Sequence, residues 1–171
     1  MQTADLSITL RAMEPEDLDE LYEIENDSDT WNAGTTNVPY SRFVLRNYIA
    51  NSTNDIYTDR QLRLIIEHNH SQTIGLIDLT DFDPRHHRAQ IGIIIKPAYR
   101  HNGYAHAAIK KLLDYSHTNI GLNQIYACVD SLNLPSVRCF QSAGFRTTAL
   151  LPQWLFDGEI YRDALFMQYF L

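Results

Sequence analysis

Positive charge is scarce in this sequence. Lys and Arg together number 14 against 21 Asp and Glu, which gives a formal net charge of −7, and the basic residues form no run. Because proteins bind nucleic acid largely by neutralising phosphates, this composition argues against a nucleic-acid partner. Long hydrophobic runs are also missing, since none approaches the roughly 18 residues that a membrane-spanning helix needs. We therefore expect binding neither to nucleic acid nor to membranes.

Cysteine is nearly absent as well. The chain has two, Cys128 and Cys139, which are too few for a disulfide-stabilised scaffold. The first residues lack the charged start and apolar centre of a secretory signal peptide. The seven histidines include no set of three with the spacing of a metal site. We therefore expect a cytoplasmic protein without a bound metal.

Apolar residues are plentiful enough for a full core. Of the 171 residues, 44% are hydrophobic, and no repeat, linker or low-complexity tract interrupts them. A chain of this length suits one domain and is short for two. The sequence therefore predicts a single domain over residues 1–171.

Residues 91–113 form the most informative stretch. Residues 91–95 are mostly β-branched and apolar, which is typical of a buried strand, and Pro97 ends it. From Ala105 onward, the apolar residues follow the spacing of an amphipathic helix. Gly103 lies between strand and helix, where it allows close approach of a ligand. Such a turn directs free N–H groups and the positive helix end at one point, which predicts a pyrophosphate site.

The remaining patterns predict the order β-α-α-β-β-β-α-β-α-β-β. Ser41 is placed to cap the second helix, and residues 51–59 predict a loop after it. The inward face of this helix is predicted to be Val44, Leu45, Tyr48 and Ile49. Strands after the loop are predicted at residues 62–68, 73–79, 88–96, 124–130, 145–150 and 162–170.

Two motifs connect this order to a known family. The first is Arg100-x-x-Gly103-x-Ala105, and the second runs from Asn133 through Ser136 and Phe140 to Gly144-Phe145. Together they resemble the signatures of the GCN5-related N-acetyltransferases (GNAT). Residues 154–167 resemble the C-terminal hairpin of the subgroup with the spermidine and ribosomal-protein alanine acetyltransferases. The resemblance implies an α+β, three-layer fold, with a mixed, mostly antiparallel sheet of about seven strands flanked by about four helices.

The resemblance also implies acetyl-CoA as co-substrate. Backbone groups of Ile94, Ile95 and Lys96 would pair with its pantetheine arm, much as an added strand pairs with a sheet edge. Asn133 would bind a cofactor amide, or it is only a helix cap. The pyrophosphate would be held by Arg100 and by the N–H groups of His101, Asn102, Gly103, Tyr104 and Ala105, with Ser136 and Phe140 completing the cofactor site.

The second motif departs from the family at Phe140. In many members a tyrosine at this position protonates the leaving thiolate, and phenylalanine has no proton to give. Either Tyr104 or Tyr161 replaces it, or the thiolate leaves unassisted, or activity is low. Positioning of two substrates supplies much of a rate by itself, so the change does not exclude catalysis.

Carboxylates are the expected catalytic bases. Asp78 and Asp81 lie on or just after a central strand, and the alternative for both is a structural role. Gln90 stands where related polyamine enzymes often carry an acid. Acceptor-pocket candidates are Glu25, Asp27, Trp31, Tyr40 and Trp154; the alternatives are a solvated loop for the acids and core packing for the aromatic residues.

The function that follows is direct acetyl transfer to a primary amine. A polyamine or another small amine is the favoured acceptor, and a protein N-terminus is the alternative. A weakly catalytic acyl-CoA-binding module is a further alternative, because of Phe140. A homodimer or higher homo-oligomer is compatible with all three.

Overall fold

The structure is a computed structural model that describes residues 6–28 and 38–171. Its centre is a seven-stranded sheet in the order β1-β2-β3-β4-β5-β7-β6. The strands are β1 (Ile8–Arg11), β2 (Leu62–His68), β3 (Gln72–Asp83), β4 (Arg88–Ile95), β5 (Gln124–Asp130), β6 (Arg146–Phe156) and β7 (Tyr161–Phe170).

Five α-helices lie in the described part of the chain, one more than the approximate number predicted. They are α1 (Leu18–Glu25), α2 (Arg42–Asn51), α3 (Ile56–Asp59), α4 (Tyr104–Tyr115) and α5 (Leu134–Ser142). Short 3-10 turns precede α1 and follow β4, and a π-helical turn, Ser116–Ile120, extends α4. None of these helices is long and apolar enough to cross a lipid bilayer.

The sheet is covered on both faces, which confirms the predicted three layers. Helices α4 and α5 pack on one face, where Ile91, Ile109 and Val137 belong to the larger core. Helices α1 and α2 pack on the other face, where Leu21 and Leu45 bury the smaller core. Helix α4 buries the apolar stripe that its spacing predicted.

One strand pair differs from the rest of the sheet. All neighbouring strands are antiparallel except β4 and β5. These two are parallel, as expected for strands joined by a crossover helix, and they pair only at Arg88–Gln90 with residues 124–126. Beyond Gln90 and Tyr126 the strands separate. We call this opening the β4–β5 gap.

The predicted boundaries of the elements were right in part. The strand at residues 124–130 and the cap of α2 are confirmed, since Ser41 Oγ accepts a hydrogen bond from the Val44 N–H. The prediction that Val44 faces inward was wrong, because its side chain is 47% exposed. The predicted loop at residues 51–59 contains α3, which Asp55 caps.

Candidate active site

The β4–β5 gap exposes one edge of a central strand. Backbone groups alternate in direction along a strand, and the Lys96 N–H donates to the carbonyl of Ile74 at 2.8 Å. Residues 94 and 96 therefore direct their backbone groups toward β3, whereas Ile93 and Ile95 direct theirs into the gap. No described strand pairs with β4 there, so this edge is open to an extended ligand.

This geometry corrects the predicted pantetheine contacts. Both backbone groups of Lys96 are engaged within the chain, since its carbonyl accepts from the Tyr99 N–H at 2.9 Å. Ile94 is among the residues that line the neighbouring cleft, but its backbone groups face β3. Ile95 keeps its predicted orientation. Ile93 was not among the predicted contacts, but its backbone groups face the gap, as was expected of Ile94 and Lys96.

The loop before α4 has the geometry of an anion site. Gly103 begins the helix at a φ of 84°, in the left-handed region that favours glycine. The first α4 hydrogen bond runs from the Ala107 N–H to the Gly103 carbonyl, so the N–H groups before it have no partner within the helix. Arg100 Nε donates to the Ile95 carbonyl at 2.9 Å, which holds the guanidinium beside these groups.

A cleft of about 680 Å³ joins the gap to this loop. Its ionisable residues include Arg100, His101, His106 and Arg138, and none of the described residues that line it is a carboxylate. Neither arginine forms an ion pair with another described residue. In a chain of net charge −7, such a lining favours a polyanionic ligand.

The second motif forms the opposite wall of the cleft. Asn133 caps α5, and its Oδ1 accepts from the Ser136 N–H at 3.2 Å. Phe140 is 4% exposed and packs edge-to-face on Phe145, with ring centroids 5.0 Å apart. Asn133, Ser136 and Phe140 all line the cleft. The cap is therefore observed, and a cofactor contact by Asn133 stays a prediction.

The two candidate replacements for the missing tyrosine lie in different places. Tyr104 lines the cleft, and its hydroxyl lies 3.3 Å from His68 Nε2. Tyr161 is 64% exposed at the start of β7 and is not among the residues that line the cleft. The geometry therefore favours Tyr104 of the two.

Asp78 is bound to a partly buried arginine. Its two oxygens accept from Arg63 Nε and Nη2, each at 2.8 Å, and Arg63 also pairs with Glu25. Burial lowers the pKa of Arg63, but the two carboxylates outweigh it and hold that pKa above its ordinary value. Both Asp78 oxygens are therefore engaged by Arg63, which fits the structural alternative for Asp78.

Glu25 completes the same cluster from the end of α1. Burial raises the pKa of its carboxyl, and the nearby Asp78 charge adds to the increase against the effect of Arg63. Arg63 thus ties the last turn of α1 to the sheet. Arg63 was not predicted as a site residue, because it lies at a polar position of an alternating strand and resembles a solvent-facing residue.

Asp81 lies in a different environment from Asp78. It occupies a bulge of β3, is exposed, and has a φ of 48°. Burial raises the pKa values of Tyr126 and Cys128, and the Asp81 charge raises both further. Bulges often redirect a side chain beside an active site. Because Tyr126 marks the start of the gap, Asp81 is the better placed of the two predicted bases.

Of the predicted acceptor-pocket residues that the structure describes, Glu25, Asp27 and Tyr40 lie around the end of α1, whereas Trp154 lies on β6. Asp27 lines a second cavity of about 360 Å³ beside the end of β4. Tyr40 exchanges two hydrogen bonds with the Asn26 side chain, from its N–H at 2.8 Å and to its carbonyl at 3.0 Å. Trp154 is 60% exposed on β6, and Trp31 lies outside the described residues.

Residues 6–28 and 38–171 contain no group of three or more His, Cys, Asp or Glu positioned to hold a metal ion. Both cysteines are free thiols.

Comparison with known proteins connects this geometry to a family. The family model for the acetyltransferase (GNAT) domain matches residues 7–146. The spermidine N(1)-acetyltransferase of Escherichia coli (strain K12) is 29% identical over 161 residues, which are 94% of this chain and 84% of the relative.

Solved structures give the same result. The crystal structure of spermidine N-acetyltransferase from Vibrio cholerae in complex with CoA and spermine has a TM-score of 0.83 at 28% identity, covering 95% of both chains. A dodecameric structure of the Vibrio cholerae enzyme has a TM-score of 0.81 at 29% identity, covering 95% of this chain and 93% of that one. The chain belongs to the GNAT acetyltransferase family, near its spermidine N-acetyltransferases, and is an N-acetyltransferase whose co-substrate is acetyl-CoA.

Proposed function

We propose that this enzyme acetylates a primary amine of a polyamine such as spermidine or spermine. The observation that carries the proposal is the β4–β5 gap, which opens beside the loop before α4 and a cleft whose described lining contains no carboxylate. The similarity to spermidine N-acetyltransferases over nearly the whole chain supports a polyamine as the acceptor. The net charge of −7 is also compatible with a cationic substrate.

The roles at the cofactor end follow from the loop and the gap. The N–H groups of residues 101–105 bind the pyrophosphate, and Arg100 supplies positive charge beside them. Backbone groups of Ile93 and Ile95 bind the pantetheine arm along the open edge of β4. Asn133 contributes an amide at the opposite wall.

The chemical step needs three contributions from the protein. The acceptor ammonium must lose a proton, and Asp81 is the candidate base, directly or through a water molecule. A backbone N–H of β4 stabilises the carbonyl oxyanion in the gap. Tyr104 is the candidate donor to the departing thiolate, since Phe140 cannot donate. The product amide then leaves without a covalent enzyme intermediate.

A weakly catalytic acyl-CoA-binding protein is the second candidate function. Phe140 is the specific observation in its favour, because the usual proton donor is missing from an otherwise complete cleft. Acetylation of a protein N-terminus has no comparable support, since the relatives of known activity act on spermidine.

The proposal includes an assembly and a location. We propose one domain over residues 1–171, acting in the cytoplasm as a homo-oligomer. Exposed aromatic residues of β6 and β7, among them Trp154 and Phe156, are available for contacts between copies. The dodecameric structure of the Vibrio cholerae enzyme supports this assembly. The free cysteines suit reducing surroundings.

Release of CoA from acetyl-CoA in the presence of different amines tests the proposed function. The panel contains spermidine, spermine, a short mono-amine and a peptide with a free N-terminus and no lysine. We expect rapid turnover with the two polyamines and little with the peptide. Binding of CoA without turnover on any amine would favour the acyl-CoA-binding alternative, and turnover on the peptide alone would reject the polyamine.

A further inference from the structure

Gly92 is a strand glycine that the surrounding fold does not require. It lies between Ile91 and Ile93 near the middle of β4, where a glycine weakens a strand and often marks close approach of a ligand. Its φ is not in the left-handed region. Among the described residues, the one atom that an added Cβ would meet within 4 Å is Asp78 Cβ, at 4.0 Å. That distance is an ordinary contact.

Gly75 shows what a glycine required by packing looks like. It pairs with Ile95 on the neighbouring strand. An added Cβ there would lie 2.2 Å from the carbonyl oxygen of Ile94 and 3.1 Å from the Ile95 Cα. Both are backbone atoms that cannot move aside without breaking the sheet. Gly75 is therefore fixed by the fold, whereas Gly92 is not.

The position of Gly92 supplies a functional reason. It follows Gln90, the last β4 residue paired with β5, by two residues, so it lies where the gap begins. Residues two apart share a face of a strand. Gly92 therefore shares the face of Ile94, which packs with the α1–α2 core, while Ile91 and Ile95 belong to the core under α4 and α5.

Gly92 is partly exposed although β4 is a central strand. Tyr126, across the start of the gap, is also partly exposed. The sheet is thus accessible from the α1 side at the point where its strands separate. A side chain at position 92 would project into this accessible space.

We propose that Gly92 leaves the space through which the acceptor amine reaches the thioester from the α1 side of the sheet. This inference rests on the proposed function and refines it. The amine approaches beside the bare backbone of Gly92, so that residue 92 sets the width available to the group next to the nitrogen.

Substitution at position 92 tests this inference. Because a Cβ meets no close contact and alanine restricts the unfolded chain, Gly92→Ala keeps or raises the melting temperature. It lowers kcat/KM for spermidine about 10- to 100-fold, by displacing the amine from the thioester. The Kd for CoA and the KM for acetyl-CoA stay unchanged. Gly92→Val, with the residue type that strands prefer, abolishes transfer and still binds CoA.

Gly75→Ala is the matched control. It adds the same methyl group on β3, the strand next to β4, where the methyl group meets backbone atoms. It lowers the melting temperature, and because its methyl group presses on the backbone of Ile94 and Ile95, it also weakens CoA binding, which Gly92→Ala leaves unchanged. Together the two alanine variants separate a requirement of the fold from a requirement of the acceptor.

Two results would contradict this inference without contradicting the proposed function. One is a Gly92→Val variant that acetylates spermidine as well as the wild type, and the other is a loss of CoA affinity equal to the loss of activity. A wild type that acetylates no amine contradicts the proposed function first, and the inference with it.

Discussion

Phe140 is the residue at which this chain departs most clearly from the chemistry of its family. Its ring lines the cleft and packs against Phe145, so the position is kept for an aromatic ring while the hydroxyl is lost. The departure was readable from the sequence, because the motif around it is otherwise complete. Its consequence for the rate was not, since a rate depends on which other donor reaches the thiolate.

Restoring the hydroxyl at position 140 tests whether the missing proton donor limits the rate. Phe140→Tyr is expected to raise kcat with spermidine by about 100-fold, at the lower end of the range for a general acid, because Phe140 lines the cleft. Steady-state rates at saturating acetyl-CoA measure the effect. Phe43→Tyr, which adds a hydroxyl at an exposed ring, should leave the rate unchanged. A folded Phe140→Tyr enzyme no faster than the wild type would mean that thiolate protonation does not limit the reaction.

Arg138 is expected to bind the part of CoA that the pyrophosphate loop does not. It lines the cleft from α5 without an ion pair to any described residue, and CoA carries a second phosphate on its ribose. Arg138→Gln should therefore weaken CoA by about tenfold, the size of one charge-assisted contact, while leaving dephospho-CoA unchanged in calorimetric titrations.

The matched control for Arg138 is Arg146→Gln. Arg146 is exposed at the start of β6 and does not line the cleft. Arg146→Gln removes the same charge from the protein as Arg138→Gln does. It should therefore change the affinity neither for CoA nor for dephospho-CoA. Equal weakening of CoA and dephospho-CoA by Arg138→Gln would assign this arginine to the pyrophosphate or to general electrostatics.

At the scale of an element, the start of α1 shows how a short polar cluster fixes a helix. Asp17 accepts two hydrogen bonds from Arg11, at 2.7 and 2.8 Å, and a third from the Glu14 N–H. Burial raises the pKa of Asp17, but these hydrogen bonds outweigh it and hold that pKa below its ordinary value. The ionised carboxylate therefore stabilises the folded state.

Asp17→Asn should lower the free energy of unfolding by about 2 kcal/mol at pH 7, as expected for hydrogen bonds to a charged group. The folded pKa lies below that of the unfolded chain, so the contribution is complete above the unfolded value of about 4 and is lost as the pH falls through the folded pKa. Urea unfolding at several pH values measures it. A difference between wild type and variant that persists undiminished at low pH would contradict the assignment.

The elements themselves were predicted unevenly, for physical reasons. The cap at Ser41 and the strand at residues 124–130 depend on local chemistry and local alternation, which a sequence displays. Strand β6 continues to Phe156 instead of ending near residue 150, because its irregular second half pairs with β7. This pairing depends on β7, so the local sequence pattern of β6 does not predict it.

At the scale of the whole molecule, charge is distributed unevenly between surface and site. The chain carries a net charge of −7, but the described lining of its cleft is basic or neutral. Two motifs and the order of elements were sufficient to predict the fold family, while the pyrophosphate site in the loop before α4 stays a prediction. The Arg63 cluster was not predictable, because Glu25, Arg63 and Asp78 meet only after α1 has packed on the sheet.

The central claim is that the β4–β5 gap and the loop before α4 hold CoA. A crystal structure of the protein with CoA tests it most directly. We predict the pyrophosphate within hydrogen-bonding distance of the N–H groups of residues 101–105, and the pantetheine arm beside the backbone of Ile93 and Ile95. CoA bound at another surface, with the β4–β5 gap empty, would contradict this claim.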